Sequence, residues 1–289
     1  MARSRGRADP PLVVTDRHAR GLVRKFLGDE QQRAAEVRRR RRRQPLRGAP
    51  SMRAAHRVLE GLEKDWAPRT LASYTDVSPD GAARLGIACL ETDRGWLENW
   101  PGVAARSFVR RYLVRPGDTL YRSKWRGYAA FTQHCLERVM QRGLHLKSAR
   151  WELGVASIIA NPRLHEQAIS RGFKQVLVPG LTGVFVGDFE LELPFLRLDT
   201  FLAITAAGRR HCDLLVELAG LLWTGDRYRE LMPALFYPDE PNALMDEVLR
   251  TYEKHQRLLS RPHEPGEDWF GLAVAQKEDA PAVLATIQV

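Results

Sequence analysis

QVLVPGLTGVFVGDFELELPFLRLDTFLAI, residues 175–204, decides the fold class. It reads as three consecutive strands, over 175–178, 184–191 and 195–204. Pro179-Gly180-Leu181-Thr182-Gly183 joins the first two, and a break at Pro194 separates the last two. Short connections of turn-forming residues are hairpin chemistry and imply antiparallel pairing. In the last strand Phe195, Arg197, Asp199 and Phe201 alternate with Leu196, Leu198 and Thr200, so one face is mostly apolar.

Helical signals precede these strands. FTQHCLERVMQRG, residues 131–143, has Thr132 as a candidate N-cap and Gly143 as a C-terminal stop. A second helix over 148–160 is capped by Ser148 and stopped by Asn161-Pro162, and a short third covers 165–170. Upstream, 52–62 has helical periodicity, while 81–89 and 107–114 read as strands, the second ending in the Arg115-Pro116-Gly117-Asp118 turn. Helices return over 212–223, 228–236 and 242–258, and a weak strand at 283–289 lies in a Pro- and charge-rich tail. Runs of strands followed by runs of helices indicate an α+β fold, with an antiparallel or mixed sheet flanked by helices. The expected organisation is a largely disordered basic N-terminal arm (1–50), a globular body (51–260) and a tail (261–289). Within the body the strand-bearing core spans about 120–205 and the C-terminal helices 207–260.

Charge is distributed unevenly. The first 50 residues hold 15 of the 45 Lys and Arg but five of the 35 Asp and Glu; the remaining 30 and 30 balance. Thr15 or Asp16 can cap a helix through Leu22, Val23, Phe26 and Leu27, but Arg38, Arg39, Arg40, Arg41, Arg42 and Arg43 bring no apolar face to bury. A self-repelling basic tract of this kind seeks RNA or DNA phosphate. Asp9, Asp16, Asp29 and Glu30 argue against an organelle transit peptide, and no apolar run reaches the roughly 20 residues of a membrane helix. Cys89, Cys135 and Cys212, odd in number and far apart, suit a reducing, cytoplasmic setting better than a disulfide framework.

Common catalytic signatures are missing. The chain has no G-x-G-x-x-G, P-loop or G-x-S-x-G motif, and His165-Glu166 lacks a second histidine at position 169, which is Ile. No metal or other cofactor is expected. His134, Arg138 and Arg142, four residues apart, drift by only about 40° per step around a helix and form one stripe, with Leu136 and Met140 roughly opposite. Two guanidiniums beside an imidazole favour its neutral, basic form and can hold a phosphodiester as charge develops on it. In metal-free RNA cleavage, His134 would move the proton and Arg138 and Arg142 would bind phosphate.

A helix carrying His-x-x-x-Arg-x-x-x-Arg-Gly (His134, Arg138, Arg142, Gly143), a second helix, then strands with Thr200-Phe201 near the end of the last, resembles small RNase toxins of RelE- and EndoU-like fold. The resemblance covers 131–204. It implies a toxin-related or mobile-element-associated endoribonuclease acting without metal, with Thr200 contacting phosphate. The alternative is a noncatalytic protein whose arm binds nucleic acid while its body docks a protein partner.

Overall fold

The computed structural model describes residues 14–41, 49–92, 102–118, 120–122, 126–142, 146–160, 175–180, 182–188, 196–203 and 242–259, with isolated positions between 213 and 240. Helices α1 (Asp16–Arg41) and α2 (Met52–Trp66) precede strands β1 (Thr70–Val77), β2 (Ala83–Glu91), β3 (Val103–Val114), β4 (Tyr121–Arg122) and β5 (Arg126–Thr132). Helices α3 (Gln133–Gln141) and α4 (Leu146–Ile159) follow. Then come β6 (Gln175–Pro179), β7 (Gly183–Asp188), β8 (Leu196–Ala203) and helix α5 (Ala243–Leu259).

The strands form one mixed sheet in the order β1-β2-β3-β5-β8-β7-β6, with β4 beside β3. Every pairing is antiparallel except β5 with β8, where Ala129 faces Leu196 and Phe131 faces Leu198. Apolar clusters lie on both faces. One gathers Phe26, Tyr128, Phe131, Leu136, Leu153, Phe185 and Phe201 with α1, α3 and α4, and the other packs Leu59 and Trp66 of α2 against Leu85, Ile87, Phe108 and Tyr112. The α+β architecture with a mixed sheet is therefore as expected. Helix α5 also lies close to its expected span. The third short helix (165–170), much of 212–236 and the tail fall outside the described residues.

Two strands, the edge strand β1 and the central β5, have weak sequence signals. β1, TLASYTDV, carries five hydroxyl or acidic side chains among eight residues, and its ladder with β2 rather than its own pattern makes it a strand. β5, RGYAAFT, is short, rich in small residues and passes into α3 with no turn between them. Helix α4 begins at Leu146, two residues before the expected Ser148 cap.

The basic arm requires the larger correction. Instead of a short helix that ends before the arginines, α1 runs 26 residues, about 39 Å, and includes Arg38, Arg39, Arg40 and Arg41 in its last turn. Ala19, Val23, Phe26, Glu30, Ala34 and Val37 make one buried stripe along it. Two of these arginines find partners on the body. Arg40 donates to the Lys64 carbonyl and pairs with Glu36, and Arg41 donates to Tyr112 Oη at 3.0 Å with its guanidinium 5.4 Å from the Trp66 ring centroid. Arg42 and Arg43 lie outside the described residues.

Glu30 sits in the middle of that stripe with its side chain only 1% exposed, 2.8 Å from Arg150 Nε of α4. Arg33 and Arg150 both donate to the Pro68 carbonyl, so α1, α4 and the α2–β1 connection meet at one polar knot. Burial is the largest influence on Glu30 and raises its pKa above the ordinary 4.5, against the opposing pull of Arg150 and Arg33. A carboxyl with a raised native pKa contributes stability that is full below the unfolded value and lost as pH rises through the native one. The stability of the wild type relative to Glu30→Gln, measured by denaturant titration, should therefore decline as pH rises from 4.5. Glu30→Ala, which leaves Arg150 with the Pro68 carbonyl but without its ion-pair partner, should cost on the order of 3 kcal/mol at neutral pH. A pH-independent difference between wild type and Glu30→Gln contradicts this role for burial.

Candidate functional site

Helix α3 starts where three strands converge. Thr132 ends β5 in an extended conformation (φ −70°, ψ 161°) and caps α3, its Oγ1 accepting from Cys135 N at 3.1 Å, as its sequence position suggested. The same hydroxyl donates to the Asp199 carbonyl of β8 at 3.0 Å. On the other side, Gln133 N donates to the carbonyl of Gly102, just before β3, at 3.0 Å. Gly102 has φ +80°, a left-handed conformation that suits glycine.

β8 is irregular at this point. Gly187 of β7 pairs with Leu198 but Val186 pairs with Thr200, so Asp199 is an extra residue in the ladder, a β-bulge. The bulge reverses the alternation expected from the sequence: Phe201 joins Leu196 and Leu198 in the core, while Thr200 is only half-buried. Gly187 makes the close approach tolerable, because a Cβ there would collide with the Arg197 carbonyl. Beneath the bulge, Phe185 packs 4.8 Å from Phe201 and 5.8 Å from Phe131, centroid to centroid.

Above this packed floor opens a cleft of about 440 Å³ lined by Gly102, Thr132, Gln133, His134, Glu137, Arg197 and Asp199. Arg197 Nε lies 3.0 Å from Asp199 Oδ1. His134 is exposed, and its Nε2 lies 3.4 Å from Arg138 Nε. A guanidinium can only donate, so Nε2 is the acceptor in this contact. Arg138 is itself held, Nη1 donating to Gln141 Oε1 at 2.8 Å, and Gln141 Nε2 donates to Asp16 Oδ1 of α1. A hydrogen-bond chain thus runs from Asp16 through Gln141 and Arg138 to the imidazole. The cleft's charge is mixed, but His134 and Gln133 lie in the first turn of α3, where the helix dipole favours an anion even though Gln133 N and Cys135 N already have partners.

Of the site residues expected from sequence, only His134 lines the cleft. Arg138 touches His134 from the next turn, and Arg142 is the C-cap, where partial burial and then Arg138 lower its pKa. Thr200 pairs with Val186 one residue beyond the cleft wall; the lining threonine is Thr132. Glu137, Arg197, Asp199, Gln133 and Gly102 were not singled out by sequence. The Leu-Arg-Leu-Asp pattern of β8 was the signal for two of them, since alternation places Arg197 and Asp199 together on the face away from the core. Burial raises the Cys135 thiol well above its usual range and Cys89 to about 12, so neither supplies a thiolate at neutral pH. Among the described residues no three His, Cys, Asp or Glu side chains converge as a metal ion would require, and no helix is long and apolar enough to cross a membrane.

No family model, curated protein or solved structure matches this chain.

Because Thr132 Oγ1 serves two partners, its removal should cost more than that of an ordinary cap. Thr132→Ala removes the cap and leaves the Asp199 carbonyl without its donor, about 2 kcal/mol together in urea unfolding, whereas Thr132→Ser retains most of the stability. Equal stabilities for the two variants contradict this role.

Proposed function

We propose that the cleft at the start of α3 is the active site of an endoribonuclease that needs no metal. The observation that carries the reading is the exposed His134 at a cleft mouth, held by Arg138 at 3.4 Å and faced by Arg197, at a helix N-terminus suited to an anion. His134 Nε2 takes the proton of a ribose 2′-hydroxyl, whose oxygen attacks the adjacent phosphorus. The P–O5′ bond breaks, giving a 2′,3′-cyclic phosphate and a 5′-hydroxyl protonated by water, and the resulting hydroxide takes the proton back from His134. Arg138 and Arg197 stabilise the charge that develops on the phosphoryl oxygens.

The Nε2 lone pair faces Arg138. A phosphodiester that draws the Arg138 guanidinium toward itself frees it, coupling substrate binding to base activation. No other histidine among the described residues lines the cleft, which is why water is assigned the second proton transfer. The resemblance to RelE- and EndoU-like toxins supports the same chemistry, although Thr200 lies one residue beyond the cleft wall.

A second, noncatalytic reading draws on the exposed Arg38 and Arg39 at the end of α1, which present charge to a nucleic-acid backbone without any reacting group nearby. Incubation of purified protein with single-stranded RNA in excess chelator separates the two. Wild type should leave 2′,3′-cyclic phosphate ends, and His134→Ala should slow cleavage by about 10²–10⁴-fold. Equal cleavage by both, or none by the wild type, refutes the catalytic assignment.

A further inference from the structure

Helix α1 does more at this site than support it. It packs antiparallel to α3: Asp16 meets Gln141, and one turn on, Arg20 Nε lies 3.8 Å from Glu137 Oε1. Steps of four residues up one helix and down the other continue this register, so that Arg24 lies alongside Gln133, which lines the cleft. Arg17, Arg20 and Arg24 are all exposed and fall within about 60° of one another around α1, with Arg20 reaching Glu137 of α3. The acidic groups facing this row are Asp16, engaged by Gln141, and Glu137, which also accepts from Gln133. Arg138 and Arg142 extend the cationic surface along α3.

We propose that Arg17, Arg20 and Arg24 form a track for the phosphodiester backbone of single-stranded RNA on one side of the His134 cleft, an inference that rests on the RNA-cleaving reading of that cleft. Their spacing of about one helical turn distributes charge along a strand rather than concentrating it on one phosphate. The track selects polynucleotide over mononucleotide and sets the direction in which the strand leaves the reacting bond. The arginines at the other end of α1 are poorly placed for this, because Arg38 lies 14 residues, about 21 Å, beyond Arg24 along the helix axis.

The test is binding, by fluorescence anisotropy, of 2′-O-methyl oligouridylate, which has no nucleophilic hydroxyl and so reports the surface without cleavage. The triple variant Arg17→Gln/Arg20→Gln/Arg24→Gln should bind at least about tenfold more weakly. Its slope of log K against log salt should flatten by about 2, since each single-strand phosphate that is no longer neutralised accounts for about 0.7. Arg38→Gln/Arg39→Gln should bind with the wild-type slope, and Arg24→Glu alone should weaken binding by severalfold with an unchanged melting temperature. Wild-type affinity and slope in the triple variant, weakening confined to the Arg38/Arg39 variant, or no binding by the wild type each overturn the proposal. If the track holds in this assay but His134→Ala cleaves ordinary RNA like the wild type, the catalytic assignment fails and the binding surface stands.

Discussion

The Thr132 hydroxyl is the constraint on which the candidate site depends. Accepting from Cys135 N, it starts α3; donating to the Asp199 carbonyl, it ties that start to the bulge in β8. These bonds sit at the sheet's one parallel pairing, where a strand late in the chain returns beside β5. Parallel neighbours need a long connection, and here α3, α4 and the β6–β7 hairpin supply it. The return brings Arg197 and Asp199 to the helix start, and it joins the β1–β2–β3 meander to the β6–β7–β8 meander in one sheet. The aromatic group of Phe131, Phe185 and Phe201 below makes the junction a packed floor, so polar side chains above it point outward.

A second constraint acts from the N-terminal side. The buried Glu30 is costly to desolvate, and Arg150 offsets that cost only when α1 lies in one place against α4. The polar pair therefore fixes the position of a helix whose apolar stripe alone would tolerate some sliding. The same placement puts Asp16 within reach of Gln141, and through Gln141 and Arg138 it orients His134. Fold stability and the site's geometry are linked in this way by one helix, and charges on α1 can act on the chemistry of α3 without touching substrate.

The class of fold and the position of α3 were legible in the sequence because both depend on local signals. Pro-Gly and Gly at the β6–β7 turn, the Thr132 cap and the Leu136, Val139 and Met140 stripe are read within a few residues, and all occur as expected. Features that depend on distant partners were less visible. β5 lacks alternation because both of its faces are covered, Tyr128, Ala129, Ala130 and Phe131 all being buried. The arginines at the end of α1 have no visible reason to pack until Trp66 and Tyr112 are placed beneath Arg41. At the site, His134 could be picked out from a single helix, but Arg197 and Asp199 join it through the return of a strand that lies 67 residues away at the Thr132–Asp199 bond, and through a one-residue bulge that no periodicity reveals. Thr200 was expected at the site only through the toxin-like motif, and it lies one residue beyond the cleft wall, paired with Val186.

The central claim is that this chain meets RNA at the start of α3. Chemical-shift mapping of the isotope-labelled protein with an uncleavable 2′-O-methyl oligonucleotide tests it most directly. The largest perturbations are expected at Gln133, His134, Arg197 and Arg24, with the His134 ring nitrogens shifting as Arg138 leaves Nε2. Perturbations confined to Arg38–Arg41, or absent from α3 at saturation, would contradict it.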